Sequence, residues 1–204
     1  MEAGAERDAR DCRGLEVTLL EEINQAIKGH ICMSVNEVEF LVECIKLAGN
    51  GDHLEIGSMW GGSAILAALT KKRNGITGKV VCVDPFRDMD WSSGRPGGRP
   101  NPDIFLSNMK AMGVEDMVEL VCAYSNPWPL GKRKFSSIFV DGDHAENWPV
   151  IDWHNSKNRT DLVIYHDLTI YEKDVMRAVK IIRADSRWEE IGQVESIAAW
   201  KRKQ

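Results

Sequence analysis

Acidic and histidine side chains follow three short apolar segments of the chain. Asp84 comes after the first, Asp141-Gly142-Asp143-His144 after the second, and His166-Asp167 after the third. Carboxylates and imidazoles hold divalent metal ions and carry protons in catalysis. Aspartates at strand ends also serve as helix caps and turn formers. The pattern therefore predicts a site of acid, base or metal chemistry, with a capping role for the aspartates as the open alternative.

A glycine-rich turn precedes these residues. Glu55-Ile56-Gly57 ends an apolar segment, and Ser58-Met59-Trp60-Gly61-Gly62-Ser63 leads into a helical pattern. Glycine lets the backbone approach a ligand closely, and such turns bind nucleotides. Asp84 lies about 20 to 30 residues further on, where an acid can accept hydrogen bonds from ribose hydroxyls. Met59 occupies the second glycine position of G-x-G-x-x-G, which disfavours an NAD enzyme.

The elements that position these residues alternate between short apolar runs and helical patterns, which predicts β-α-β units and a parallel sheet. We expect the first five strands to be central and the last two to form an antiparallel hairpin around Glu195-Ser196. The predicted strands are His53–Ile56, Lys79–Val83, Val118–Cys122, Ser137–Val140, Leu162–Tyr165, Trp188–Val194 and Ile197–Lys201.

Apolar residues at helical spacing predict the helices. Ser34-Val35-Asn36-Glu37 has the pattern of a capping box and begins the second of them. The other predicted helices are Leu15–Lys28, Gly62–Lys72, Asp103–Met112, Trp148–His154 and Glu172–Arg183. We predict a flexible segment over 1–14, N-terminal helices over 15–50 and one domain over 51–204.

Composition narrows the class of protein. The 204 residues are 43% hydrophobic and 28% charged with a net charge of −5, which fits one globular domain without a broad nucleic-acid surface. No apolar run approaches the roughly 20 residues of a membrane span, and residues 1–14 lack the apolar centre of a signal peptide. We therefore expect a cytoplasmic protein without membrane or nucleic-acid partners. Five cysteines without a C-x-x-C pair are expected to be small buried residues.

Four ordered motifs carry a resemblance to a known family. They are Glu55-x-Gly57-x-x-x-Gly61-Gly62-Ser63, Val83-Asp84-Pro85-Phe86, Phe139-Val140-Asp141-Gly142-Asp143-His144 and Tyr165-His166-Asp167. Together they resemble the class I S-adenosylmethionine-dependent methyltransferases, and among these the small-molecule O-methyltransferases of the macrocin O-methyltransferase type. The resemblance implies an α/β Rossmann-like fold: a mostly parallel seven-stranded sheet with helices on both faces, an antiparallel last strand and additional N-terminal helices.

The resemblance also implies ligands and roles. S-adenosylmethionine would lie against the carboxyl ends of the first strands. Its implied binding residues are Glu55, Gly57, Ser58, Gly61, Ser63, Asp84, Ser125 and Asp141. A divalent metal, Mg²⁺ or Mn²⁺, would be held by Asp141, His166 and Asp167. The imidazole of His166 replaces an oxygen ligand and favours Mn²⁺, Zn²⁺ or Fe²⁺.

The implied reaction is O-methylation of a sugar or phenolic hydroxyl on a small-molecule acceptor, with Asp141 at the metal and His144 or Asp143 removing the proton. The Gly/Pro-rich loop from Arg87 to Pro102 is either a lid or an insertion. Two alternatives stay open: a metal-dependent relative of the cephalosporin hydroxylase type, and a non-catalytic cofactor-binding partner subunit. We also expect a homo-oligomer formed through the N-terminal helices.

Overall fold

The computed structural model describes residues 19–87, 99–169 and 172–204. The predicted flexible segment 1–14, the beginning of the first predicted helix (15–18) and residues 88–98 of the Gly/Pro-rich loop, predicted to be either a lid or an insertion, lie outside the described residues. Cys12 is also outside them.

Seven strands form one sheet in the order β3-β2-β1-β4-β5-β7-β6. Strands β1 to β5 pair in parallel, and β7 is antiparallel to both of its neighbours. The strands are β1 His53–Ile56, β2 Val80–Val83, β3 Val118–Val121, β4 Ser137–Val140, β5 Leu162–Tyr165, β6 Trp188–Val194 and β7 Ile197–Arg202. This arrangement confirms the predicted Rossmann-like fold with its antiparallel last strand.

Helices cover both faces of the sheet. Helix α1 is described over 19–26, and the others are α2 Val35–Ala48, α3 Gly62–Arg73, α4 Pro102–Ala111, α5 Trp148–Ser156 and α6 Lys173–Ala184. A short 3₁₀ helix, Glu115–Met117, precedes β3 and was not predicted. Residues of α1 to α4 pack in the hydrophobic core on one face. Residues of α5 and α6 pack on the other face.

Local sequence explains where the helices begin. Ser34 and Glu37 form the predicted capping box of α2. Asn101 caps α4 immediately before a proline, and Pro149 lies in the first turn of α5, where its missing N–H costs no helical hydrogen bond. Among the described residues, no helix is both long and apolar enough to span a membrane.

Strand order places the candidate site. Strand β1 lies between β2 and β4, so the chain moves away from β1 in both directions along the sheet. A crevice forms at the carboxyl ends of strands where the order reverses in this way, and open α/β sheets bind ligands there. Gly57, Asp84, Asp141 and His166 all follow strands at this edge.

Two expectations from the sequence are wrong. Strand β3 is not central: within the described sheet it lies at an edge and pairs with β2, and Glu119 is exposed on it. Cys32 and Cys122 are exposed, whereas Cys44 and Cys82 are buried as expected. Cys32 lies in the connection between α1 and α2, and Cys122 directly follows the edge strand, so neither reaches the core.

Candidate functional site

The glycine turn after β1 requires glycine at two positions. Gly57 has a φ of +85°, and a Cβ there would lie 2.3 Å from the backbone oxygen of Asp141. Gly61 has a φ of +84°, and a Cβ would lie 2.2 Å from the Cε of Met109. Both positions thus combine a left-handed backbone with close packing. The turn therefore lies directly against the loop that follows β4.

Asp84 holds this turn in place. Its Oδ2 accepts hydrogen bonds from the backbone N–H groups of Ser58 at 2.7 Å and Met59 at 2.9 Å. Its Oδ1 accepts from the N–H of Phe86 at 2.7 Å. Asp84 thus links the carboxyl end of β2 to the turn after β1. Ribose binding by Asp84 stays a prediction.

Glu55 is a buried acid beside the turn. Within the described part of the chain, neither of its carboxylate oxygens has a hydrogen bond of good geometry. Burial raises the pKa of Glu55 to about 8; the nearby hydroxyls of Ser63 and Ser58 offset part of this effect, whereas the charges of Asp141 and Asp84 add to it. An orphaned buried carboxyl group is costly, and a ligand with a cationic or hydrogen-bond-donating group would satisfy it.

An open pocket lies next to the turn. It is lined by the connection 30–33 between α1 and α2 and by residues of the turn itself. Ser63 in the first turn of α3 also lines the cavity, as does Asp141. The predicted cofactor residues Gly57, Ser58 and Ser63 thus surround one space.

Asp141, His144 and Asp167 form a cluster at the edge of this cavity. Each offers a ligand atom, and these atoms lie within 4.8 Å of one another, which makes the trio a candidate metal group among the described residues. His144 Nε2 lies 3.7 Å from Asp141 Oδ1 and 3.3 Å from Asp167 Oδ2. Burial opposes ionisation of Asp141, but hydrogen bonding and charge from His144 and His166 hold its pKa below the usual value.

His166, a predicted metal ligand, is buried behind the same carboxylates. Its Nδ1 lies 3.3 Å from Asp141 Oδ1 and 3.5 Å from Asp167 Oδ2. Burial disfavours its charged form, but these two carboxylates outweigh burial and raise the pKa of His166 to about 11. The imidazoles of His144 and His166 therefore face the same two oxygen atoms.

The two predicted bases have different surroundings. His144 is partly exposed beside the cluster; burial lowers its pKa, but Asp141, Asp167 and Glu172 have the larger combined effect and raise it above the usual value. Asp143 is exposed, and its Oδ1 accepts a hydrogen bond from the N–H of Ala145 at 2.9 Å. The structure thus brings His144, and not Asp143, into the cluster.

Ser125 lies in a neighbouring buried pair. Its Oγ donates a hydrogen bond to Asp152 Oδ1 at 2.5 Å, and Asn155 Nδ2 donates to its backbone oxygen at 2.9 Å. Burial, aided slightly by the charge of Asp143, raises the pKa of Asp152 to about 7, and the Ser125 hydrogen bond only partly opposes this. The sequence analysis missed Asp152 because one aspartate in a helical pattern carries no motif.

Known structures resemble this chain over nearly its whole length. No family model and no curated protein matches it. The O-methyltransferase from Bacillus cereus, solved with SAH, is 20% identical, with 91% of each chain covered and a TM-score of 0.65. TomG, the O-methyltransferase from Streptomyces achromogenes involved in tomaymycin synthesis and solved with SAM, is 16% identical, with 94% of this chain and 96% of TomG covered and a TM-score of 0.64.

A third structure, described as a candidate caffeoyl-CoA O-methyltransferase from Staphylococcus aureus, is 12% identical, with 97% of this chain and 98% of that chain covered and a TM-score of 0.67. These likenesses and the strand order define the fold of this chain as the Rossmann-like fold of class I methyltransferases. The resemblance inferred from the four motifs is thus confirmed at the level of fold.

Proposed function

We propose that this protein is an S-adenosylmethionine-dependent O-methyltransferase that acts on a sugar or phenolic hydroxyl of a small molecule, with a divalent metal ion. The position of Asp141 carries the proposal. Asp141 lines the cavity beside the glycine turn and belongs to the His/carboxylate cluster. Asp141 thus borders both the pocket where the cofactor would bind and the cluster that would hold a metal ion.

Residues on the cofactor side fit a nucleoside carrying an amino-acid tail. The close-packed turn at Gly57 and the first turn of α3 at Ser63 face the cavity. Glu55 supplies a buried carboxyl group without a hydrogen-bond partner in the described residues, which a cationic or hydrogen-bond-donating group of the cofactor would satisfy. Ser125 would lie near the adenine of the cofactor. The bound cofactor supplies an electrophilic methyl group, and similar folds in the O-methyltransferase from Bacillus cereus and in TomG bind SAH and SAM.

Residues on the acceptor side fit activation of a hydroxyl group. Asp141 and Asp167 would hold the ion with His166, and the ion would supply a Lewis acid that lowers the pKa of a bound hydroxyl. His144 is partly exposed beside them and would take the hydroxyl proton on its imidazole. Its neighbouring carboxylates stabilise the imidazolium that results.

A methyl-transfer assay tests this function. Methyl-labelled S-adenosylmethionine is incubated with the protein, a panel of catechols and free sugars, and Mn²⁺, Mg²⁺ or a chelator. We expect label on an acceptor hydroxyl, lost with the chelator and reduced on the order of 100-fold or more in Asp141→Asn. Asp161→Asn is the matched control, because Asp161 is exposed and pairs with Arg202 before β5, at the opposite edge of the sheet.

The assay also separates the alternatives. Iron-dependent oxidation of an acceptor without label transfer would favour the hydroxylase-type relative. Cofactor binding without turnover of any acceptor would favour a non-catalytic subunit. Full activity of Asp141→Asn would contradict the metal role.

A further inference from the structure

Glu37 is a buried carboxylate fixed on both of its oxygens. Its Oε2 accepts a hydrogen bond from the backbone N–H of Ser34 at 2.9 Å. Its Oε1 accepts from the N–H of Ser196 at 3.0 Å and also from the Ser196 hydroxyl. The carboxylate is therefore held between the first turn of α2 and the turn that joins β6 to β7.

This fixed carboxylate faces the imidazole of His166. Glu37 Oε1 lies 3.6 Å from His166 Nε2. That distance is longer than a hydrogen bond, and His166 Nε2 is a buried atom without a hydrogen-bond partner in the described residues. The other ring nitrogen, Nδ1, faces Asp141 Oδ1 at 3.3 Å. The ring thus spans from Glu37 to the carboxylate cluster.

Packing restricts how the ring can turn. His166 and Glu37 are each about 5% exposed, and the Phe139 ring contacts the imidazole edge to face with centroids 6.2 Å apart. His144, by contrast, has 29% of its side chain exposed. A buried, oriented imidazole suits a metal ligand, whereas an accessible one suits proton exchange with an acceptor.

We propose that Glu37 is a positioning residue that orients His166 as an imidazole ligand of the metal centre, and that this ligand makes the centre select Mn²⁺ over Mg²⁺. The inference rests on the metal site of the proposed function. The negative charge of Glu37, 3.6 Å from the far ring nitrogen, favours the proton on that nitrogen and leaves the near nitrogen to offer its lone pair to an ion. Nitrogen donors favour transition metals, whereas Mg²⁺ favours oxygen.

The test is calorimetric titration of Mn²⁺ and Mg²⁺ into the full chain. We expect the wild-type protein to bind Mn²⁺ at least about 10-fold more tightly than Mg²⁺. Glu37→Gln should weaken Mn²⁺ binding about 10- to 100-fold. Ser34→Ala is the matched control. It removes the Ser34 hydroxyl, which caps the backbone N–H of Glu37, but keeps the Ser34 backbone N–H that holds the Glu37 carboxylate beside His166. Its Mn²⁺ affinity should stay within about 3-fold of wild type.

Two further variants keep the test decisive if circular dichroism shows that Glu37→Gln does not fold. His166→Asp replaces the nitrogen ligand with an oxygen ligand and should reduce the preference for Mn²⁺ over Mg²⁺ about 10-fold. Asp161→Asn, at the opposite edge of the sheet, should leave Mn²⁺ affinity within about 3-fold of wild type. An unchanged preference for Mn²⁺ in His166→Asp, with Asp161→Asn at wild-type affinity, would overturn the assignment.

Failure of this inference is distinct from failure of the proposed function. A wild-type protein that binds neither ion contradicts the metal assistance itself. If the wild-type protein binds Mn²⁺ and both Glu37→Gln and Ser34→Ala keep the wild-type Mn²⁺ affinity, only the role of Glu37 is contradicted. Equal wild-type affinities for the two ions would overturn the selectivity.

Discussion

Asp84 Oδ2 accepts a hydrogen bond from the backbone N–H of Ser58, 26 positions earlier in the chain, at 2.7 Å. The bond joins the carboxyl ends of β1 and β2, and Asp84 is 9% exposed. A charged acceptor holding two consecutive N–H groups is a strong local restraint. The shape of the glycine turn therefore depends on a residue outside it.

Asp84→Asn should loosen the turn. An asparagine amide offers one oxygen, so either the N–H pair of Ser58 and Met59 or the N–H of Phe86 loses its acceptor. Each hydrogen bond to a charged group contributes about 1.5 to 3 kcal/mol. In urea unfolding, the free energy of unfolding should fall by that amount. Calorimetry should show weaker binding of S-adenosylhomocysteine. Unchanged stability and affinity would contradict the role of Asp84 in the turn.

Gly57→Ala should be more damaging than an ordinary glycine substitution. It combines a left-handed backbone with a Cβ 2.3 Å from the Asp141 oxygen, and we expect a loss of more than about 2 kcal/mol in the free energy of unfolding. Gly75→Ala is the control, because Gly75 also has a positive φ, +63°, but among the described residues no atom beyond its chain neighbours lies within 4 Å of the place a Cβ would take. It should cost about 1 kcal/mol. Equal losses in the two variants would contradict the close approach at Gly57.

Asp152 should make stability fall as pH rises. Its pKa is raised from 3.8 to about 7 by burial, so between these values the folded protein keeps a proton that the unfolded chain has lost. The unfolding free energy then decreases by about 1.4 kcal/mol per pH unit in that window. Asp152→Asn removes this contribution.

Urea unfolding of both proteins at pH 5, 6, 7 and 8 measures the effect. The stability of Asp152→Asn relative to wild type should increase from pH 5 to 7 and then level off. The comparison isolates Asp152 from Glu55, whose raised pKa acts in the same direction. A relative stability that stays constant or falls with pH would show that Asp152 is not a buried acid of raised pKa.

The cysteines should differ in reactivity. Burial raises the pKa of Cys44 to about 12 and that of Cys82 well above its usual value. Cys32 and Cys122 are exposed. Iodoacetamide at pH 8, followed by peptide mass spectrometry, should label the exposed pair in the native protein and the buried pair only in urea.

The same labelling probes the cavity. Cys32 lines it beside the glycine turn, whereas Cys122 follows β3. S-adenosylhomocysteine should slow labelling of Cys32 and leave Cys122 as the internal reference. Equal protection of both cysteines, or of neither, would place the ligand elsewhere.

Most of the fold could be predicted from the sequence because its elements are short and strongly patterned. Leu54 and Ile56 pack on one face of β1, and the Ser34 and Glu37 capping box begins α2. The position of β3 could not be predicted in this way. Its Val-rich pattern resembles a central strand, and only the order of strands in space makes it an edge.

The candidate site was predictable where residues follow strands directly. Asp141 directly follows β4 and Asp167 lies two residues after β5, and they come together because these parallel strands end at the same edge. Glu37 and Asp152 were missed as site residues. Both are helical, and their importance depends on partners more than 20 positions away, His166 and Ser125, which local pattern does not reveal.

The most direct test of the central claim is calorimetric titration of S-adenosylmethionine into the purified full chain, with Mg²⁺, with Mn²⁺ and with a chelator. The account predicts micromolar binding, about −8 kcal/mol, that Gly57→Ala weakens. Absence of binding under every condition would contradict the methyltransferase function and leave only the fold.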